Sequence, residues 1–428
     1  MSNFTNKIYC GDCAGILRQH VPDNSIDLIY LDPPFFTNKK YEIVWGDGAE
    51  IRAYEDRWKG GIQNYISWME PKLRECQRVL KSTGSIYLHC DYHAGHYLKI
   101  LMDRIFGEEY FQNEIVWSFS KVGGVEKRWA KRHELIFFYT KSKDWLFNID
   151  EVREPYSESL MKSLKEDSGG LYYTRGLGLD KTIKRLRKTY IHPKGKVPED
   201  VWNLGSYAVP AGERFGYPTQ KPEALLERII KASSNPADVV LDPFCGCGTA
   251  IVVAHKLGRR WIGIDVSPTA CKLMFQRLLK VNQTLNPEEI IVGLPKTVED
   301  LKALQWFEFQ NWIVKKLGGR VTDKKTGDMG IDGTTFEGNP IQIKQSEGIG
   351  RNVIDNFETS IRRVKKTNGI IVAFSFGKGA YEEAARAKNE EKLEIELITV
   401  NDLIKNDSPP TPASATTIEP KILVSGAE

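Results

Sequence analysis

The chain has 428 residues, enough for two or three domains with a sizeable core. Its 60 Lys and Arg against 56 Asp and Glu give a net charge of +4, too mild to identify a nucleic-acid binder unaided, and 41% hydrophobic with 27% charged residues is ordinary globular composition. With no run near the ~18 apolar residues of a membrane span, a polar start and seven cysteines that suit reduced thiols, membrane and secreted classes are excluded and a cytoplasmic protein is expected.

From Lys7 to Thr140 short apolar runs alternate with helical patterns. Ser25-Ile26-Asp27-Leu28-Ile29-Tyr30-Leu31 and Ser85-Ile86-Tyr87-Leu88-His89 read as buried strands, while Leu98, Leu101, Met102 and Ile105 share one helical face. Strands are also expected at Glu114 to Trp117 and Glu134 to Thr140. The alternation predicts an α/β fold with a parallel, doubly wound sheet. Asp32-Pro33-Pro34-Phe35 follows directly on the first strand, at the carboxyl end where ligand sites open in such sheets. The prolines remove two N–H donors, which leaves the Asp32 carboxylate and main-chain carbonyls as an acceptor-only rim suited to both hydrogens of an –NH₂ group. Phe35 adds a flat face for an aromatic ring. Two acceptors holding an exocyclic base amine would localise its lone pair and aim it. The same tetrapeptide also reads as an Asp-Pro turn capping a strand.

Residues 148–207 break the pattern. Lys181, Lys184, Arg185, Arg187, Lys188, Lys194 and Lys196 fall between positions 181 and 196 with no acid among them, either a solvated loop or a phosphate-contacting surface. A second strand–helix series follows: Val239 to Leu241, the turn Asp242-Pro243-Phe244-Cys245-Gly246-Cys247-Gly248-Thr249, a helix to Leu257 and a strand from Trp261 to Ile264. Gly246 and Gly248 permit a tight turn and close approach of a ligand. The spacing is not GxGxxG, and an acid at the strand end would repel a pyrophosphate. It suits an α-amino group and tolerates a sulfonium, and Asp265, ending the next strand, is placed for ribose hydroxyls. Cys245 and Cys247 read as small residues in a crowded turn. Cys10-Gly11-Asp12-Cys13 has zinc-like spacing without a second pair nearby. His89, His93 and His96 read as structural or DNA-contacting.

From Val298 the chain restarts with an aromatic-rich helix, Gln305 to Leu317, and short strands around Arg320 and at Ile341-Gln342-Ile343-Lys344. A helix with Val353, Phe357, Ile361 and Val364 on one face precedes a strand at Gly369 to Ser375. This makes a small α/β domain. Asp332, with Gln342 and Lys344 two apart on one strand face, forms a set able to hold Mg²⁺ and orient a water against a phosphodiester. Arg362, Arg363, Lys365 and Lys366 form either a phosphate track or a solvated helix face. Residues 406–428, rich in Pro, Ser, Thr and Ala, are expected to be a disordered tail.

In order along the chain, Gly11-Asp12, Asp32-Pro33-Pro34-Phe35, the basic segment, Tyr217-Pro218-Thr219-Gln220-Lys221-Pro222 and the glycine turn resemble the β-class DNA amino-methyltransferases over roughly Ile8 to Gln283. The resemblance implies a permuted Rossmann-like sheet with the catalytic half first, spanning 1–297, and a target-recognition insert at about 148–207. It implies S-adenosylmethionine as methyl donor, its methionine and adenosine portions lined by Asp242, Phe244, Gly246 and Gly248, its ribose by Asp265, its carboxylate by Lys221 and its adenine by Asp12. Asp32 and the Pro33 carbonyl would grip the target amine and Phe35 would stack on a base flipped from double-stranded DNA. Aspartate in the first position favours adenine N6 over cytosine N4. Residues 298–405 resemble the Mrr-type branch of the PD-(D/E)XK nucleases, with Gln342 where a Glu is commoner. A restriction–modification protein is the implied whole, possible as a homodimer. A methyltransferase whose nuclease-fold domain only binds DNA and a non-enzymatic DNA-binding module stand as alternatives.

Overall fold

The structure, a computed structural model, describes residues 4–36, 40–44, 50–55, 61–120, 127–176, 186–206, 220–322 and 330–405. The expected tail at 406–428, the basic residues Lys181, Lys184 and Arg185, and Tyr217-Pro218-Thr219 lie outside them.

Among the described residues the main sheet has nine strands. Their order across the sheet is Val201–Ser206, Phe111–Ser120, His133–Thr140, Leu80–Cys90, Ile26–Leu31, Val239–Asp242, Arg260–Asp265, Lys7–Cys10 and Ile291–Val292. Strands from the start of the chain therefore pair directly with strands from residues 239–265, Leu28 opposite Val240 and Cys10 opposite Asp265. Successive strand residues feed opposite faces. Ile26, Ile29 and Leu31 pack with the helices Cys13–His20, Gly61–Val79 and Gly95–Phe106, while Leu28 and Tyr30 pack with Glu223–Ser233, Thr249–Lys256 and Pro268–Val281. Helices on both faces explain why these strands read as unbroken apolar runs.

The all-parallel expectation fails at one place. His133–Thr140 runs antiparallel to both Leu80–Cys90 and Phe111–Ser120. A dozen residues join it to the preceding strand, which it pairs as a hairpin. The segment 148–207 also holds more order than a loop. It carries the helix Glu158–Ser163, a small antiparallel sheet of Lys165–Asp167, Gly170–Gly176 and Leu186–Tyr190, and a strand, Val201–Ser206, that joins the edge of the main sheet in parallel.

The carboxyl-terminal unit is a five-stranded sheet ordered Gly319–Val321, Gly333–Thr335, Pro340–Lys344, Asn368–Ala373 and Glu394–Thr399. Helix Arg351–Arg363 buries Ile354, Phe357 and Ile361 against it. Val353 is half-buried and Val364 lies exposed beyond the helix end, so the apolar face is turned by one position from the expected one. Helix Trp306–Lys316 faces its own sheet with Phe309 and Ile313 and reaches helix Pro268–Val281 through Glu308, whose Oε2 accepts from the Thr269 hydroxyl at 3.4 Å. No helix among the described residues is long and apolar enough to cross a membrane.

Candidate active site

Four neighbouring parallel strands, Ile26–Leu31, Val239–Asp242, Arg260–Asp265 and Lys7–Cys10, point their carboxyl ends to one edge of the sheet. Each supplies an acid at or just past its end: Asp32, Asp242, Asp265 and Asp12. All four line a single cleft with Lys221, Phe244 and Gly246. Chain topology thus gathers residues more than two hundred positions apart, as the sheet's switch point predicts.

The floor of the cleft is the glycine turn. Asp265 fixes it, accepting from the Gly246 N–H at 2.8 Å with one carboxylate oxygen and from the Ser267 N–H at 2.8 Å with the other. Burial pushes the Asp265 carboxyl up to about 6. Asp242 is 3% exposed, and burial raises its carboxyl well above the usual range; the Phe244 N–H, donating at 3.1 Å, works against that rise, while Asp32 and Asp265 add to it. Gly248 stands behind the cleft at φ +77°, where a Cβ would lie 2.2 Å from Met274 Cγ. Arg277, fully buried among apolar neighbours, donates to the Cys247 carbonyl at 2.9 Å and the Thr249 hydroxyl at 3.0 Å, bracing the turn from below. Nothing in its sequence neighbourhood distinguishes it from a surface arginine.

Asp12 caps helix Cys13–His20, accepting from the Ala14 and Gly15 N–H groups, and its second oxygen lies 3.0 Å from the buried Lys72 ammonium. Lys72 in turn sits over the Trp68 ring, which packs against Phe244. These aromatic and basic walls come from helix Gly61–Val79, whose amphipathic pattern gave no sign of them. Gln305, at the start of the carboxyl-terminal unit's helix, also lines the cleft.

At the end of Ile26–Leu31 the Tyr65 hydroxyl donates to the Pro34 carbonyl at 2.7 Å, so one of the two proline carbonyls is already engaged. Lys221, 6% exposed, donates to both Asp32 oxygens at 2.8 and 3.0 Å, and its Nζ lies 4.8 Å from the Phe35 ring centroid. The same ammonium is 3.8 Å from Glu134 Oε2. Glu134 Oε2 is 2.9 Å from His89 Nε2, and His89 Nδ1 is 2.8 Å from the Tyr30 hydroxyl. Burial raises the Tyr30 phenol well above its ordinary value, so it keeps its proton. Of the three histidines, His89 is therefore buried beneath the Asp32 motif, while His93 pairs with Asp91 at 2.7 Å and His96 is exposed.

The described part of the basic run meets acids that lie outside it in sequence. Lys188 pairs with Asp167 at 2.5 Å, Lys194 with Asp150 at 3.4 Å and Lys196 with Glu154 at 3.3 Å; Arg187 is exposed. Counting charges along the segment overlooked these partners.

In the carboxyl-terminal unit Asp332 lies against the strand that carries the other two predicted residues. Asp332 Oδ2 accepts from the Ile343 N–H at 2.7 Å, which holds its carboxylate against the strand that carries Gln342 and Lys344. Gln342 donates to the Gly330 carbonyl at 3.0 Å, and its buried Oε1 has no hydrogen-bond partner. Asp355, Glu358 and Glu383 also gather their oxygens, but Arg386 and Arg362 pair with Glu358 and Arg351 with Glu383, which makes this a salt-bridged helix contact.

Residues 26–276 match a family model described as DNA methylase, of the N6/N4 type, and residues 301–406 match one described as restriction endonuclease, of the Mrr type. The DNA adenine methyltransferase YhdJ of Escherichia coli (strain K12) is 33% identical over 278 residues, 64% of this chain and 83% of that protein. The type II methyltransferase M.HinfI of Haemophilus influenzae is 30% identical over 302 residues, 68% of this chain and 73% of its own. Among solved structures, the cytosine-N4-specific PvuII DNA methyltransferase covers 66% of this chain and 88% of its own at 18% identity and a TM-score of 0.44.

Proposed function

The chain belongs to the N6/N4 DNA methylase family and carries an Mrr-type restriction-endonuclease domain, and from that premise we propose that it methylates the exocyclic amine of a flipped base in double-stranded DNA, adenine N6 ahead of cytosine N4, with S-adenosylmethionine as donor. One observation carries the reading. The acceptor rim of Asp32 and the acids Asp242 and Asp265 open on one cleft, so a gripped amine and a nucleoside cofactor would meet there.

The donor set fits that cofactor. The buried Asp242 carboxyl calls for a cation, which an α-amino group supplies, and Asp265 offers acceptor capacity toward ribose hydroxyls beyond its two backbone donors. S-adenosylmethionine brings a methyl group on a sulfonium. The chain's own residues do the rest: Asp32 and the Pro33 carbonyl hold the amine hydrogens, Phe35 stacks on the base, and Trp68 and Phe244 exclude water from the donor side. The name of YhdJ supports adenine. The exposed Arg187 and the lysines of the 181–196 run would meet phosphates, the lysines exchanging their carboxylate partners for the backbone.

The carboxyl-terminal unit, residues 298–405, is proposed to cut DNA with Mg²⁺. The supporting observation is the unpartnered Gln342 Oε1 on the strand whose Ile343 N–H holds the Asp332 carboxylate, two oxygens suited to a hard cation, with Lys344 on the same strand face. Methylation of the site would then protect self DNA from the attached nuclease.

The test is mass spectrometry of nucleosides from unmodified DNA of varied sequence, incubated with the protein and isotope-labelled S-adenosylmethionine without Mg²⁺. Labelled N6-methyladenine is the expected product. Labelled N4-methylcytosine would overturn the base assignment, and no labelled base would overturn the reading.

A further inference from the structure

Lys221 stands in the proposed target pocket. Its ammonium donates to both oxygens of the carboxylate that must accept from the target amine, and it covers the ring on which the base would stack. The base would have to stack where this ammonium now lies over the Phe35 ring, and its amine would compete for the same carboxylate, so the lysine must yield before transfer. It is 6% exposed, and a buried ammonium needs a carboxylate wherever it goes. Glu134, 7% exposed on the antiparallel strand His133–Thr140, is the carboxylate already beside it, 3.8 Å away. A shift of about one ångström would bring the ammonium into contact with Glu134 at the distance it now keeps from Asp32.

We propose that Glu134 is a positioning residue for methyl transfer: it receives the Lys221 ammonium, so that Asp32 is released to hold the target amine. His89 and Tyr30 complete the device. The Tyr30 hydroxyl and His89 Nδ1 share a hydrogen bond at 2.8 Å, and the ring's Nε2 lies 2.9 Å from Glu134 Oε2. Phe35 and Trp117 flank the ring at 5.6 and 5.7 Å between centroids, so His89 has little freedom to turn. This inference rests on the methyltransferase reading and names a residue that acts through Lys221 without touching the base.

The experiment measures kcat and KM for methyl transfer from labelled S-adenosylmethionine to unmodified DNA by the full chain, together with cofactor affinity by calorimetry and thermal melting. The proteins are wild type, Glu134→Gln, Glu134→Asp, Lys221→Met and the double variant Glu134→Gln/Lys221→Met. Removing the receiving charge leaves the ammonium on Asp32, so kcat of Glu134→Gln should fall roughly a hundredfold, the loss expected for a misplaced catalytic group. Its cofactor affinity should stay within about threefold of wild type, and Glu134→Asp should recover part of the rate. With the ammonium gone the carboxylate has nothing to receive, so the double variant should be no slower than Lys221→Met. A Glu134→Gln kcat within about twofold of wild type, an Asp variant as slow as the Gln variant, or losses that add in full in the double variant would each overturn the inference while labelled base from wild type left the methyltransferase reading standing. No labelled base from wild type would remove both.

Discussion

Lys221 and Asp32, 189 positions apart, form a two-pronged ion pair at 2.8 and 3.0 Å in the wall of the cleft. The sequence reading assigned the lysine to a cofactor carboxylate and the aspartate to a base amine. Their pairing makes the two halves of the proposed reaction share one charge. Asp32→Asn keeps the shape and removes the negative charge that holds the lysine and polarises the amine. Methyl transfer should fall about 10²- to 10³-fold, the usual loss for one charged group aimed at a reacting centre. Cofactor affinity, measured by calorimetry, should stay within about threefold, because Asp32 serves the base side. A variant that lost cofactor binding outright would place Asp32 in the donor site instead.

Asp265 gives a pH dependence with a definite sign. Its carboxyl sits at about 6 because of burial, while both oxygens already accept backbone N–H groups. The ionised form is the better acceptor for ribose hydroxyls, so cofactor affinity should weaken as pH falls through 6 and level off above about 7. Calorimetric titrations from pH 5 to 8 should show that slope in wild type. Asp265→Asn should bind weakly and with a flatter profile across the same range. An equal slope in the variant would assign the titration to another group.

Glu308 tests the contact between the two units. Burial pushes its carboxyl up to about 7, and the Ser267 and Thr269 hydroxyls only partly offset this. An unfolded glutamate releases its proton near ~4.3. Between that value and 7 the folded chain keeps a proton that the unfolded chain has lost, so stability drains away as pH rises through this window and the full cost remains above it. The cost is on the order of 3 kcal/mol. Glu308→Gln carries no such charge. Its melting temperature should match wild type near pH 4 and exceed it at pH 8. A constant difference at all pH values would mean that the carboxyl does not titrate in this window.

Much of this site was legible along the chain, for a physical reason. Asp32, Asp242 and Asp265 each end or directly follow an apolar strand, and the end of a parallel strand is where a local motif becomes a site, whereas Asp12 was singled out only by the family resemblance. Tyr65, Lys72, Glu134 and Arg277 were missed as site residues because each sits inside a regular element with unremarkable neighbours. Their roles exist only once Tyr65 meets Pro34, Lys72 meets Asp12, Glu134 meets Lys221 and Arg277 meets the Cys247 carbonyl. The partners of the basic run were hidden in the same way, since the acids opposing Lys188, Lys194 and Lys196 come from positions 150 to 167. The antiparallel strand His133–Thr140 was misassigned because apolar runs carry no direction.

Gly248→Ala should loosen the cofactor turn from behind. A Cβ there would lie 2.2 Å from Met274 Cγ, at a φ of +77° that side chains disfavour. Left-handed strain of about 1–2 kcal/mol adds to an overpacking cost of about 1–3 kcal/mol. The melting temperature should fall by several degrees, and Gly248→Ala/Met274→Ala should relieve the clash while keeping the backbone strain. Full recovery in the double variant would show that crowding alone sets the requirement for glycine.

Gln342 offers a test of the cation site that does not depend on cleavage. Its Oε1 is buried with no hydrogen-bond partner, on the strand whose Ile343 N–H holds the carboxylate of Asp332 in place. Gln342→Glu puts a negative charge into this buried position. Without a divalent ion the like charges repel and the buried carboxylate is undersolvated, so the variant should melt below wild type. With Mg²⁺ both oxygens become ligands of one ion, so added Mg²⁺ should raise the melting temperature of Gln342→Glu more than that of wild type. Asp332→Ala in the same background should abolish the Mg²⁺ response. If Mg²⁺ leaves the melting of Gln342→Glu unchanged up to millimolar concentration, the domain holds no cation at this place and its part in the chain is to bind DNA.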